Sequence, residues 1–135
     1  MSAPGESELM KRVITSPAAA PPAASYSQAT TDGALVFTAG QIALTPDGEF
    51  LADEPVGVQT RQAIENVKNI LEEEGLTLQD VLKVTVFLAD IDDYDEMNEA
   101  YSEYFRDNPP ARSAVGVEGL PKGAAVEIEA VAAKK

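Results

Sequence analysis

Residues Leu82 to Ala89 form an almost unbroken β-branched and apolar run, the pattern of a strand covered on both faces. Such a strand has no hydrophilic side to offer water, so the rest of the chain must supply cover. Two segments read as helices. In Val56 to Glu74, the residues Ala63, Ile64, Val67, Ile70 and Leu71 recur at helical spacing, Pro55 suits the first turn and Gly75 suits the position after the last. A second helix is expected from about Asp92 to Phe105, with Asp92 as N-cap and Tyr94, Met97, Ala100, Tyr101 and Tyr104 as its apolar stripe. Glu72-Glu73-Glu74 is the wrong charge for a helix C-terminus, so fraying is expected there. Strands are expected at Arg12 to Thr15, Ala34 to Leu44, Glu49 to Leu51, Leu82 to Ala89, Ser113 to Val117 and Ala125 to Ala132, with Thr45-Pro46-Asp47-Gly48 as a hairpin turn. The layout is therefore α+β: one mixed sheet of about six strands with two helices on one face. Two helices cover one side only, which predicts that the other is buried between copies of the chain.

The chain of 135 residues fits one domain, expected over residues 12–133 after a loose, polar tail at 1–11. Its 23 acidic against 10 basic residues give a formal net charge of -13. That balance opposes binding to phosphate backbones, so neither nucleic acid nor an anionic membrane is an expected partner. An acidic surface also suits a halophile, whose molar salt shortens the screening length to roughly 3 Å. Nothing approaches the roughly 20 apolar residues of a membrane span, and no basic flank precedes an apolar leader, so a cytoplasmic protein is expected.

The sequence contains no histidine and no cysteine. This removes the usual general base, the thiol nucleophile and nearly every zinc site, and leaves arginine, carboxylates, hydroxyls and backbone groups. Arg112 follows Asn108-Pro109-Pro110-Ala111, and Glu127 stands fifteen residues on, in Val126-Glu127-Ile128-Glu129. Strand alternation sets Val126, Ile128 and Ala130 against Glu127, Glu129 and Val131, and Val115 and Val117 against Arg112, Ala114 and Gly116. If the helices take the apolar sets, Arg112, Glu127 and Glu129 share the face that belongs to the subunit interface. An arginine and an acid placed there are either an ion pair that fixes subunit register or a clamp, the guanidinium fork holding a substrate carboxylate while a glutamate directs water. Other motifs are weaker. Asp90 to Glu96 lacks an EF-hand glycine at its sixth position and an acid at its twelfth, Tyr101, and reads as a loop and helix cap. Tyr94, Tyr101 and Tyr104 read as core and interface packing.

Several stretches in order, Tyr26-Ser27-Gln28-Ala29, Val36 to Ile42, Gln59 to Gln62 with Glu65-Asn66, Lys83 to Leu88, Asn98, Pro110-Ala111-Arg112-Ser113 and Val126 to Ala130, resemble the RidA (YjgF) family from about Val13 to Val131. The resemblance implies a chorismate-mutase-like fold assembled as a homotrimer with clefts between neighbouring subunits. It implies hydrolysis of 2-imino acids and their enamine tautomers to 2-oxo acids and ammonia, with no metal or organic cofactor. Carried over by position, Arg112 would bind the substrate carboxylate and Glu127 would position or activate water. Tyr26, Gly40 and Asn98 would line the pocket, and the Ala114 backbone would contact the imine nitrogen. The chain departs from the family pattern at Ala24-Ser25, where Gly-Pro is common, and at Ala114, where cysteine is common. A non-catalytic module that binds small carboxylates such as 2-oxo acids is the alternative.

Overall fold

The computed structural model describes residues 11–135, and residues 1–10 of the expected tail lie outside them. Six strands, β1 (Arg12–Ile14), β2 (Ala29–Thr31), β3 (Leu35–Thr38), β4 (Val81–Leu88), β5 (Ala111–Gly116) and β6 (Val126–Ala133), form one sheet in the order β1-β2-β3-β6-β4-β5. Only β4 and β5 pair in parallel; the other neighbours are antiparallel. Two helices, α1 (Val56–Glu72) and α2 (Tyr94–Ser102), join them. The mixed six-stranded sheet with two helices is as expected, but its membership differs. Ala29–Thr31 is a strand that its short, polar sequence hides, while Phe50 makes only an isolated bridge to Leu44.

One core explains the layering. The apolar stripe of α1, including Ile64, Val67, Ile70 and Leu71, is buried with Val36, Val84, Val86, Leu88, Val126, Ile128 and Ala132 of the sheet. In β6 the alternation is clean: Val126, Ile128, Ala130 and Ala132 are buried, and their neighbours between them are only partly covered. β4 corrects the expectation of a strand apolar on both faces. A bulge between Val81 and Lys83 leaves Leu82 and Lys83 exposed, and Thr85 and Phe87 face the open side, so that face is mixed in polarity. Val13, Phe37 and Val115 lie exposed with it, which keeps an apolar component on the uncovered face.

The ends of the helices are fixed by side chains from elsewhere. Pro55 gives α1 no side-chain cap, and Glu96 of α2 supplies one, accepting from the Gly57 N–H at 3.2 Å. The expected second helix starts later, at Tyr94, because Ile91–Asp93 forms a single 3₁₀ turn in which Asp90 Oδ1 accepts from the Asp92 N–H. At the far end of α1, Gly75 at φ +72° closes the helix and Leu76 N–H donates to the Leu71 carbonyl. Fraying is not what the third glutamate does. Glu74 turns back to accept from both outer nitrogens of Arg12, at 2.6 and 3.0 Å, and from Lys134 Nζ at 2.7 Å.

This junction ties the first strand, the end of α1 and the chain after β6 to one carboxylate that is 8% exposed. Hydrogen bonds from Arg12 and then Lys134 hold its pKa down to about 2. A depressed carboxylate contributes stability that is present above its unfolded value of about 4.3 and is lost as pH falls toward the folded value. Glu74→Gln is expected to cost about 1–2 kcal/mol at pH 7, most of it from Lys134 because Arg12 is largely exposed. Denaturant melts at pH 7 and pH 3 check this, and the mutant's deficit should shrink at the lower pH.

Candidate functional site

The sheet register separates the two groups that alternation had placed together. Arg112 pairs with Val84, and Val84 pairs with Ala130, so all three side chains point to the helix side. Val115 and Glu127 both pair with Phe87, and they point to the open side. Arg112 and Glu127 therefore lie on opposite faces within one protomer, which overturns the expected shared face. The physical reason is local to β5, an edge strand whose Val115 stays 42% exposed. Burying that valine is worth less here than seating the guanidinium under α2, where it gains polar partners and two aromatic faces.

α2 builds that seat from one of its faces. Tyr94, Asn98 and Tyr101 follow at spacings of four and three and so line up along the helix. Arg112 Nη1 donates to Asn98 Oδ1 at 2.9 Å and Nη2 donates to the Tyr94 hydroxyl at 2.6 Å. The guanidinium carbon lies 4.5 Å from the centre of the Tyr101 ring and 5.5 Å from that of Tyr94. All these partners are neutral, and no ion pair among the described residues involves Arg112. The Tyr101 hydroxyl is buried with no hydrogen-bond partner, and burial pushes its pKa up to about 12, so the ring stays neutral beside the cation. Tyr94 and Tyr101 were expected only to pack. Their register with Asn98 was the available signal, since three residues on one helix stripe meet the same neighbour.

The second group forms on the open side. Past β3 the backbone of Gln41 exchanges both hydrogen bonds with Ile128, which brings Gly40 against Glu127. A Cβ on residue 40 would stand 2.6 Å from Glu127 Oε2 and 2.8 Å from its Cδ, so only glycine leaves room for the carboxylate as it lies. Tyr26 stands beside them, its hydroxyl accepting from the Ala23 N–H at 3.2 Å, so the Ala24-Ser25 departure still brings the ring to this pocket. Glu127 has no hydrogen-bond donor among the described residues. Its pKa is raised, chiefly by burial and further by the charge of Glu129. Lys122, at φ +60° in the loop before β6, is on the rim.

Buried amides hold the walls of this pocket. Gln28 Nε2 donates to the carbonyls of Ala20 and Ser16 at 2.8 and 3.1 Å. Asn66, fully buried on α1, donates through Nδ2 to Leu44 and Ile42 at 2.8 and 3.3 Å. These side chains were legible as parts of a motif but not as struts, because nothing local in sequence marks which loop an amide will hold. Of the expected residues, Tyr26, Gly40 and Glu127 come together in one place, and Asn98 and Arg112 in another, with Ala114 two residues along the same face of β5.

A family model described as Endoribonuclease L-PSP matches residues 17–134, nearly the whole chain. The chain belongs to the RidA (YjgF) family. Among its RidA relatives, a RutC family protein of Pyrococcus abyssi is 46% identical over 94% of this chain and 100% of its own. The human protein named 2-iminobutanoate/2-iminopropanoate deaminase is 41% identical over 93% of this chain and 92% of its own. Among solved RidA structures, E. coli TdcF with bound serine superposes with a TM-score of 0.87 at 38% identity, covering 92% of this chain and 99% of that one. No helix among the described residues is long and apolar enough to cross a membrane.

Proposed function

We propose that the protein hydrolyses reactive 2-imino acids and their enamine tautomers to 2-oxo acids and ammonia, in clefts built from two copies of the chain, and so clears reactive metabolites. Arg112, seated by Asn98 and Tyr94, is the carboxylate anchor of one copy. Glu127, with Gly40 and Tyr26, faces it from the neighbouring copy of a homotrimer. The observation that carries this reading is the state of Arg112. A guanidinium has five N–H donors; two are spent on neutral acceptors and none on a carboxylate, in a chain of net charge -13. A carboxylate is its natural missing partner. Glu127 is equally incomplete, partly buried without a donor. The mixed, partly apolar open face carrying Glu127 is where a second copy would dock.

The chemistry asks little of so sparse a set of groups. A protonated imine is already electrophilic at carbon, so water adds as Glu127 accepts one of its protons. Glu127 returns that proton to the amino group of the resulting adduct, which leaves as ammonia while the hydroxyl gives up its proton to solvent and the carbonyl forms. Arg112 keeps the carboxylate oriented throughout, and the Ala114 backbone is placed near the nitrogen. The deaminase name of the human relative and the serine bound to TdcF agree with a small amino-acid-derived substrate here. The family model's description as an endoribonuclease fits this chain less well, because its surplus of acid repels an RNA backbone.

The test is to generate 2-iminopropanoate in place with an amino-acid oxidase and follow release of the 2-oxo acid. A rate clearly above the uncatalysed one is expected. A flat rate, with 2-oxo acids still binding, would leave the carboxylate-binding module as the function. Tyr94→Phe removes the acceptor of Arg112 Nη2 but keeps the ring. It is expected to raise KM about tenfold, equivalent to one hydrogen bond of about 1.4 kcal/mol, and to move kcat less, which steady-state kinetics reads directly.

A further inference from the structure

We infer that the pocket beside Glu127 seats the substrate's side chain and selects a branched aliphatic one over the methyl of 2-iminopropanoate. This rests on the hydrolase reading above. The reacting carbon of a 2-imino acid carries the carboxylate, the nitrogen and one side chain. With the carboxylate drawn to a neighbouring Arg112 and water directed by Glu127, the side chain falls to whatever surrounds Glu127 on its own protomer. Those surroundings are mostly apolar: Ala20, Pro21, Ala23, Ile42 and Leu44, with Gln41 among them, line a pocket of about 80 Å³, which opens over Gly40 and Ala24 into a mouth of about 370 Å³.

Two features make it a preformed seat. Its walls are pinned from behind, Ala20 by Gln28 and Ile42 and Leu44 by Asn66, so they do not depend on a ligand for their position. Its near wall is lined by alanines at 20 and 23, which leave space that larger residues would fill. The one cation in the lining is Lys122, which is exposed at the rim. An acidic side chain would have to pass Glu127 to reach the pocket floor and would find no partner there.

Binding of unreactive 2-oxo acids to the intact protein tests this without requiring turnover. By calorimetry, 4-methyl-2-oxopentanoate is expected to bind at least about tenfold more tightly than pyruvate, since one methylene in a hydrophobic pocket already discriminates by about that factor. Ala23→Phe, which fills the pocket, should bring the two Kd values within about twofold, and Leu44→Phe provides the same test from the opposite wall should the first variant fold poorly. Equal affinities in the unmodified protein overturn the inference, and so does tightest binding of 2-oxosuccinate, which would mean that Lys122 recruits a second carboxylate. If the expected order of affinities holds but no imine is hydrolysed, the hydrolase reading fails and the subsite stands. Hydrolysis with equal affinities gives the converse.

Discussion

Arg112→Ala is expected to all but abolish imine hydrolysis, lowering kcat/KM by about 10²- to 10³-fold, with the fold intact. Truncating one partner of a partly desolvated, hydrogen-bonded charge pair costs about 2–5 kcal/mol, and here the pair is the substrate's only strong anchor. The loss should appear in kcat as well as KM, because an unanchored imine no longer presents its carbon to the water. Arg112→Lys is expected to recover little. It keeps the charge but cannot keep the bonds to Asn98 Oδ1 and the Tyr94 hydroxyl while offering a flat, two-pronged edge to a carboxylate. The cavity left against Tyr101 in the alanine variant is a packing loss, so circular dichroism and sedimentation must accompany the kinetics. Full activity in Arg112→Ala with the assembly unchanged would refute the anchor.

Glu127→Gln is expected to cost about 10²-fold or more in kcat, the usual contribution of a positioned base. Gly40→Ala should do nearly the same without touching the acid, since its methyl would occupy the space of the Glu127 carboxylate. The pH dependence has a definite sign. Burial and then Glu129 favour the neutral form of Glu127, so its ionised fraction falls at a higher pH than that of an exposed glutamate, about 4.3. The rate should therefore fall toward acid with a midpoint above that value, and Glu127→Gln should lose that limb. A raised folded-state pKa also means that the charged acid opposes folding at neutral pH, so Glu127→Gln should leave the protomer at least as stable as before. Loss of rate together with loss of stability would instead mark Glu127 as a structural residue.

Much of this was legible in the sequence, and the failures are physical. Period alone identifies α1 and the inward face of β6, because both bury their apolar sets without local competition. It fails at β2, where Ala29-Thr30-Thr31 offers too few residues for a pattern and pairing with its neighbours decides. It fails more instructively at β5. Counting valines inward turns Arg112 outward, but its guanidinium head finds a hydroxyl, an amide and two rings on α2. Those gains are tertiary and leave no trace in alternation. The Glu74 junction is similar: three acids at a helix end read as fraying until Arg12 and Lys134 arrive from 62 and 60 residues away. Motif resemblance picked out Tyr26, Gly40 and Glu127, which converge, and implied clefts between subunits; the opposite faces taken by Arg112 and Glu127 are why the proposed cleft needs one of them from each copy.

Subunit mixing tests that last point most directly. Equal amounts of Arg112→Ala and Glu127→Gln protein, each nearly inactive alone, are refolded together and assayed on 2-iminopropanoate. If each cleft takes its arginine from one copy and its glutamate from the next, half of the clefts receive an intact arginine and half of those an intact glutamate, so about a quarter of the unmodified rate should return. If both residues served the same cleft from a single chain, mixing would restore nothing above the two inactive parents.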